Sequence, residues 1–195
     1  MELKGGIETF YAKTRQHWRK WLEKNHQNAK CIWLIITKKE SGVSHVSYHD
    51  AVDEALCFGW IDSKANKRDD KSYYQYFAKR SPASNWSKVN KLKVAQLTKQ
   101  GLMAKAGLDA VKVAKERGTW MALNGVDNLV VPPDLQQLLE ADNIARYNWE
   151  LFSRSSRRGM LEWIFNAKRP ETRQKRIATT VKLAAQNKKA NQYNQ

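Results

Sequence analysis

The stretch Ala55-Leu56-Cys57-Phe58-Gly59-Trp60-Ile61-Asp62 decides the fold. Before it, Ala51, Val52, Ala55 and Leu56 recur at helical spacing, behind a Ser47/Asp50 pair with the form of a capping box. Gly59 stands where a helix ends in a left-handed residue. Beyond it the pattern becomes alternation: Trp60, Asp62 and Lys64 on one side, Ile61, Ser63 and Ala65 on the other. A polar turn over 66–71 then leads into an aromatic return strand from Tyr73 to Phe77. Upstream, Cys31 to Thr37 is a continuous β-branched run of strand length, expected to be covered on both faces. Ser41-Gly42 turns the chain toward the capping box. The expectation is an α+β fold, with a small antiparallel sheet of about three strands packed by helices.

Working outward, Ile7, Phe10, Tyr11, Thr14, Trp18, Trp21 and Leu22 read as one amphipathic helix from Ile7 to Leu22. After the strands comes a second tryptophan turn, Ser81-Pro82-Ala83-Ser84-Asn85-Trp86-Ser87. Ser84 or Asn85 would cap a helix running to Gly101, and a further helix spans Ala106 to Arg117, closed by Gly118. Pro132-Pro133 opens a short helix, Ile144 to Phe152 and Met160 to Ile164 mark two more, and a last one starts at Glu171 behind Pro170. The expected organisation is an α+β core over 1–118 and a helical region over 119–195, packed as one unit.

The 195 residues carry a formal charge of +16, unevenly spread. Residues 1–78 are net +3, 79–117 net +8, 118–144 net −4 and 145–195 net +9. Two basic blocks flanking an acidic connector favour nucleic acid or another anionic surface through counterion release, or simply a solvated face. No apolar run approaches the roughly 20 residues of a membrane span. The start lacks the apolar core of a secretory signal, and Cys31 and Cys57 form no metal or redox spacing. The chain is expected to be cytoplasmic and reduced.

The candidate chemistry gathers at the two tryptophan motifs. Trp60 and Trp86 keep small polar neighbours, as the walls of one recess would. Asp62, if buried, needs a donor, and Arg80 is the natural partner. That pair is structural in one reading and an acid–base group in another. Cys57 lies near a helix C-terminus, where the dipole disfavours a thiolate. His45 and His49, four apart, could hold a metal with Cys57 or His26 as a third ligand, but the helix begins only near Ser47 and no carboxylate completes a zincin-type site, so they read as surface histidines. No phosphate loop, hydrolase triad or RNA-binding signature is present, so no metal and no cofactor is expected. At the other end, Arg169, Arg173, Lys175 and Arg176 make a basic helix behind a proline turn. These are candidate polyanion contacts of a helix-turn-helix kind, or a solvated face.

Several of these motifs resemble one family. Trp21-Leu22-Glu23-Lys24-Asn25-His26, Trp33-Leu34, Ala55 to Asp62, Ser84-Asn85-Trp86-Ser87, Ala167-Lys168 and Thr172 to Ile177 are similar to those of the YdeI/OmpD-associated, bacteriocin-protection proteins. The chain departs at Ala78-Lys79-Arg80, where the family usually reads Thr-Pro-Arg. The resemblance implies a cytoplasmic, stress-linked protein tied to tolerance of bacteriocins or cationic peptides, with no established enzyme activity or cofactor. Its motif positions fall on Cys57, Gly59, Trp60, Asp62, Arg80, Ser84, Asn85, Trp86 and Ser87. A non-catalytic protein binding a small molecule or peptide in that recess is the leading expectation. Nucleic-acid binding through the basic blocks and an enzyme using Asp62 as general acid–base are the alternatives.

Overall fold

The helix-to-strand step at Gly59 is present in the computed structural model, which describes residues 2–38 and 45–191. The Ser41-Gly42 turn lies outside the described residues. The elements run β1 (Leu3–Lys4), β2 (Ile7–Tyr11), α1 (Arg15–Asn25), β3 (Cys31–Thr37), α2 (Tyr48–Cys57), β4 (Trp60–Lys67) and β5 (Ser72–Lys79). Helices follow: α3 (Lys88–Lys99), α4 (Lys105–Glu116), α5 (Asn124–Asp127), α6 (Pro133–Glu140), α7 (Asn143–Leu151), α8 (Arg154–Phe165) and α9 (Pro170–Ala185). The fold is α+β with a helical C-terminal half, as expected. Among the described residues no helix is long and apolar enough to cross a membrane.

The sheet holds five strands in the order β1-β2-β3-β5-β4, against about three expected. Of the two extra strands, β2 occupies the start of the segment read as a helix from Ile7, and β1 lies just before it. Gly5 and Gly6 take φ of +58° and +77°, so a two-residue turn pairs Lys4 with Ile7. Ile7, Thr9 and Tyr11 then alternate along β2, and the helical spacing of Phe10 with Trp18 arises across a strand–helix boundary. Thr14 marks that boundary by accepting a hydrogen bond from the His17 N–H at 3.1 Å. β2 pairs parallel to β3, with α1 as the crossover, so the sheet is mixed rather than antiparallel.

β3 is the central strand and is buried on both faces. On one face Ile32, Leu34 and Ile36 join Trp18, Leu22, Leu56, Phe77 and Trp86 in the main core. Trp18 stacks on Trp21 at 5.1 Å, and its indole N–H donates to the Ala51 carbonyl at 3.0 Å, which ties α1 to α2. Ser47 caps α2 as predicted: its Oγ accepts from the Asp50 N–H at 3.1 Å and donates to the Asp50 carboxylate at 2.7 Å. The cap of α3 is Ser87, not Ser84 or Asn85, because Ser87 Oγ accepts from the Asn90 N–H.

The chain divides into two compact units, Met1–Met121 and Ala122–Gln195. The second packs Leu135, Leu139, Trp149, Met160, Leu161, Ile164 and Ile177 around its own centre. Asn148 of α7 donates to the Ala184 carbonyl of α9 at 2.8 Å, and Arg158 of α8 reaches the Asp127 carboxylate at 2.8 Å.

Candidate functional site at Arg80

The step at Gly59 also builds a cleft. Gly59 has φ of +72°, and its carbonyl accepts the Arg80 N–H at 3.0 Å, holding the end of β5 against the start of β4. The first turn of α4 lies on the same corner: the Ala104 N–H donates to the Cys57 carbonyl at 3.0 Å. A Cβ on Gly59 would meet the Ala106 carbonyl oxygen at 3.0 Å, so α4 approaches closely only because side chains are absent there.

Between these elements lies a cleft of about 610 Å³, lined by Trp60, Lys79, Arg80, Lys105, Asp109 and His26 among others. That volume suits a small ligand. A second cleft of about 240 Å³ adjoins it and is lined by Trp86, Ser81, Pro82 and Val113. The two share Arg80, Ala106 and Asp109. Trp60 thus lines one cleft and Trp86 the other, with Arg80 in common. Each indole is only 1 % exposed, so both are packed far more tightly than recess walls open to solvent would be.

Arg80 is the least settled side chain of the site. Its guanidinium carbon stands 3.8 Å from the Trp86 ring centroid, and Nη2 donates to the Asn85 carbonyl. Nε and Nη1 are buried without a hydrogen-bond partner, and so is the Trp60 indole N–H. Burial pulls the Arg80 pKa down to about 10, a fall only partly offset by the Asp62 charge. It remains a cation at neutral pH. The expected Asp62–Arg80 ion pair is not made, because Asp62 accepts from the Tyr48 hydroxyl of α2 at 2.7 Å instead. Asp62 lines neither cleft.

The other motif residues have structural duties. Cys57 is buried, and burial first, then the Glu54 charge, pushes its thiol up to about 11. Ser84 Oγ donates to the Ser81 carbonyl and shapes the turn, while Ser87 caps α3. Sequence reading did not assign Lys79, Lys105, Asp109 or His26 to the recess: His26 and Lys79 stand in quoted motifs and Lys105 and Asp109 in none, and the four line one cleft only through the packing of α4 on the sheet. Lys105 and Asp109 pair with each other at 2.7 Å.

Of the C-terminal cations, Arg173 forms a two-point pair with Asp134 at 2.7 and 2.8 Å. Arg176 lies over the Trp163 ring at 5.1 Å and donates to its carbonyl. Arg169 and Lys175 are exposed. The Arg173 hydrogen bonds hold the Asp134 carboxyl below its ordinary range, so the pair adds stability above that range and loses it as pH falls through the lowered value. Asp134→Asn is therefore expected to lower stability by under about 1 kcal/mol at neutral pH, for a largely solvated pair. Urea melts of the two proteins should converge in acid.

With the geometry in hand, comparison with known families finds two matches. Residues 10–110 match a domain of unknown function (DUF8412), which spans more than half of the chain. The chain belongs to that family. Residues 128–187 match the family described as bacteriocin-protection, YdeI or OmpD-associated. The resemblance seen in the sequence is thus supported, and the match falls on the C-terminal helices. The Ala55–Asp62 motif and every residue named above for the larger cleft fall in the DUF8412 segment. No curated protein and no solved structure matches the chain.

Proposed function

We propose that the chain is a non-catalytic binding protein of the bacteriocin-protection group, and that its adjoining clefts hold a ligand through an anionic group set against Arg80. One observation carries this reading. Three buried N–H donors, Trp60 Nε1 and Arg80 Nε and Nη1, have no partner, and both residues line the larger cleft. Unpaired buried donors are costly, and a buried cation with no direct ion-pair contact more so. An oxyanion drawn against this corner would offset both costs. Lys79 adds positive charge to the same walls, while Lys105 is matched by Asp109. A net charge of +16 argues against direct capture of a cationic peptide, since like charges repel, so protection would act through an anionic small molecule or acidic segment. Asp62 outside the clefts and the raised Cys57 thiol support a binding role over catalysis.

The test is thermal shift and calorimetry with inorganic phosphate, pyrophosphate and citrate as probes. At ten times its Kd a bound probe adds about 1.4 kcal/mol, or about 4 °C in Tm. Arg80→Met is expected to abolish that gain while leaving the free protein as stable as before or more so, since an uncompensated buried cation is replaced by an apolar chain of similar length. Equal shifts in both proteins, or no shift in the parent with any of the three oxyanions, would overturn the reading.

A further inference from the structure

The sheet has a second cluster of rings, on the face opposite the main core. Its buried members are Trp33, Ile35 and Tyr74, with Ile7, Tyr11 and Tyr76 packed around them, and all six come from β2, β3 and β5. Among the described residues no helix contributes to this cluster. Trp33 meets Tyr76 edge-on at 5.0 Å and Tyr74 at 6.0 Å. Cations lie over the rings instead. Lys4 Nζ is 4.5 Å from the Tyr74 centroid and 5.7 Å from that of Trp33, and Lys64 Nζ is 5.5 Å from Trp33 and 5.6 Å from Tyr76. Arg68 stands over Tyr74 but is already paired with Glu2 and Asp69. Lys4 and Lys64 have no carboxylate partner among the described residues.

Two further atoms on this face are unsatisfied. Trp33 is only 3 % exposed, and its indole N–H is buried without a partner. Thr37 Oγ1, two steps of alternation along β3 and so on the same side, is buried and unpartnered too. The face therefore offers aromatic planes, two uncommitted ammonium groups and hydrogen-bonding groups in want of partners.

We propose that this face binds single-stranded nucleic acid, bases stacking at Trp33 and Tyr76 and phosphates taken by Lys4 and Lys64. The exchange is chemically even-handed. Lys64 is exposed and Lys4 half-buried, their stems are flexible, and swinging them from the rings to phosphates uncovers the rings for bases. A duplex hides its base faces and fits this face poorly, since its stacked pairs present only edges and backbone. An anionic bilayer is disfavoured because these rings are recessed beneath lysine side chains rather than protruding. None of the four residues lies in the strongly basic blocks 79–117 and 145–195, so general attraction by those blocks is separable from binding here.

The experiment is fluorescence anisotropy of the full chain with a labelled oligouridylate of about 12 nucleotides, within the usual footprint, and a blunt duplex of equal length. Single strand is expected to bind at low salt at least roughly ten-fold more tightly than duplex. In a Lys4→Gln/Lys64→Gln protein the log–log salt slope should become shallower by about 1.4, at about 0.7 per phosphate contact. Tyr76→Leu should weaken binding roughly ten-fold and leave the slope unchanged. Arg80→Met should bind as the parent does, which separates this face from the clefts. Circular dichroism and thermal melts check folding, and the two exposed-side lysine substitutions keep the test valid if Tyr76→Leu fails to fold. Absence of single-strand binding at low salt, duplex binding of equal strength, or parent-like affinity and slope in the lysine double variant would overturn the proposal.

Discussion

Glu54→Ala is expected to destabilise the N-terminal unit by about 2–3 kcal/mol, below the range for breaking a fully buried ion pair because Arg15 and Arg19 stay partly solvated. Glu54 sits in the second turn of α2 with its side chain 3 % exposed, and it is held from two sides. Arg15 Nε reaches one carboxylate oxygen at 2.5 Å and Arg19 Nη1 reaches the other at 2.7 Å. Both arginines stand on α1, so this carboxylate closes the gap between the two helices that cover the sheet. Truncation leaves two partly buried guanidinium groups. Arg15 keeps only Asp50 at 2.9 Å, and Arg19 keeps Glu23 at 3.3 Å and the Leu102 carbonyl at 3.0 Å. Neither remaining set replaces a carboxylate shared from within the core. Tm should fall by roughly 10 °C in a calorimetric scan. Glu54→Gln keeps the shape and one acceptor, so it should lie between parent and alanine. A loss below about 1 kcal/mol for Glu54→Ala would mean that solvent, not Glu54, compensates the two arginines. The same substitutions carry a chemical readout. The Glu54 charge helps to push the Cys57 thiol up, so its removal should make that thiol easier to ionise, though burial keeps most of the effect.

This clasp was not legible in the sequence, and the reason is general to what the reading missed. Patterns within one element carry over well: the Gly59 stop, the Cys31–Thr37 run, the Ser47 cap, and Gly101 and Gly118 at helix ends all stand as read. Partners 14 to 39 residues apart do not announce themselves. Asp62 has a natural-looking partner in Arg80, yet the Tyr48 hydroxyl reaches it first, because α2 and β4 fold back on each other through Gly59. Glu54 looks like an ordinary helix carboxylate until α1 crosses above it. The β1–β2 hairpin escaped for the opposite reason: its strands are too short for alternation to outweigh the chance helical spacing of Phe10, Thr14 and Trp18. At the candidate site the motif residues mark the corner on which α4 packs. The lysines and the unpaired donors become visible only once that helix is in place.

Gly107 tests that packing most directly, because the expected sign is opposite to that of an ordinary helix glycine. In an exposed helix Gly→Ala stabilises by about 1 kcal/mol, through lower backbone entropy in the unfolded chain. Gly107 lies in the first turn of α4, where an added Cβ would stand 2.3 Å from the Cys57 carbonyl oxygen, 2.7 Å from its carbon and 2.9 Å from the Leu56 carbonyl oxygen. All three are backbone atoms, which cannot swing aside. Gly107→Ala must therefore push α4 off the end of α2, at a cost of about 1–3 kcal/mol or more for overpacking. It would also strain the Ala104-to-Cys57 hydrogen bond. Gly159, inside α8, supplies the control: a Cβ there meets nothing within 4 Å, so Gly159→Ala should gain up to about 1 kcal/mol. Urea melts should thus move in opposite directions for the two substitutions. Ala106 and Asp109, common to both clefts, ride on the displaced helix, so Gly107→Ala should also blunt the phosphate and pyrophosphate response while Gly159→Ala leaves it intact. If Gly107→Ala matched the control in both stability and probe response, the close seating of α4 on the Cys57–Gly59 corner would not be what shapes the clefts.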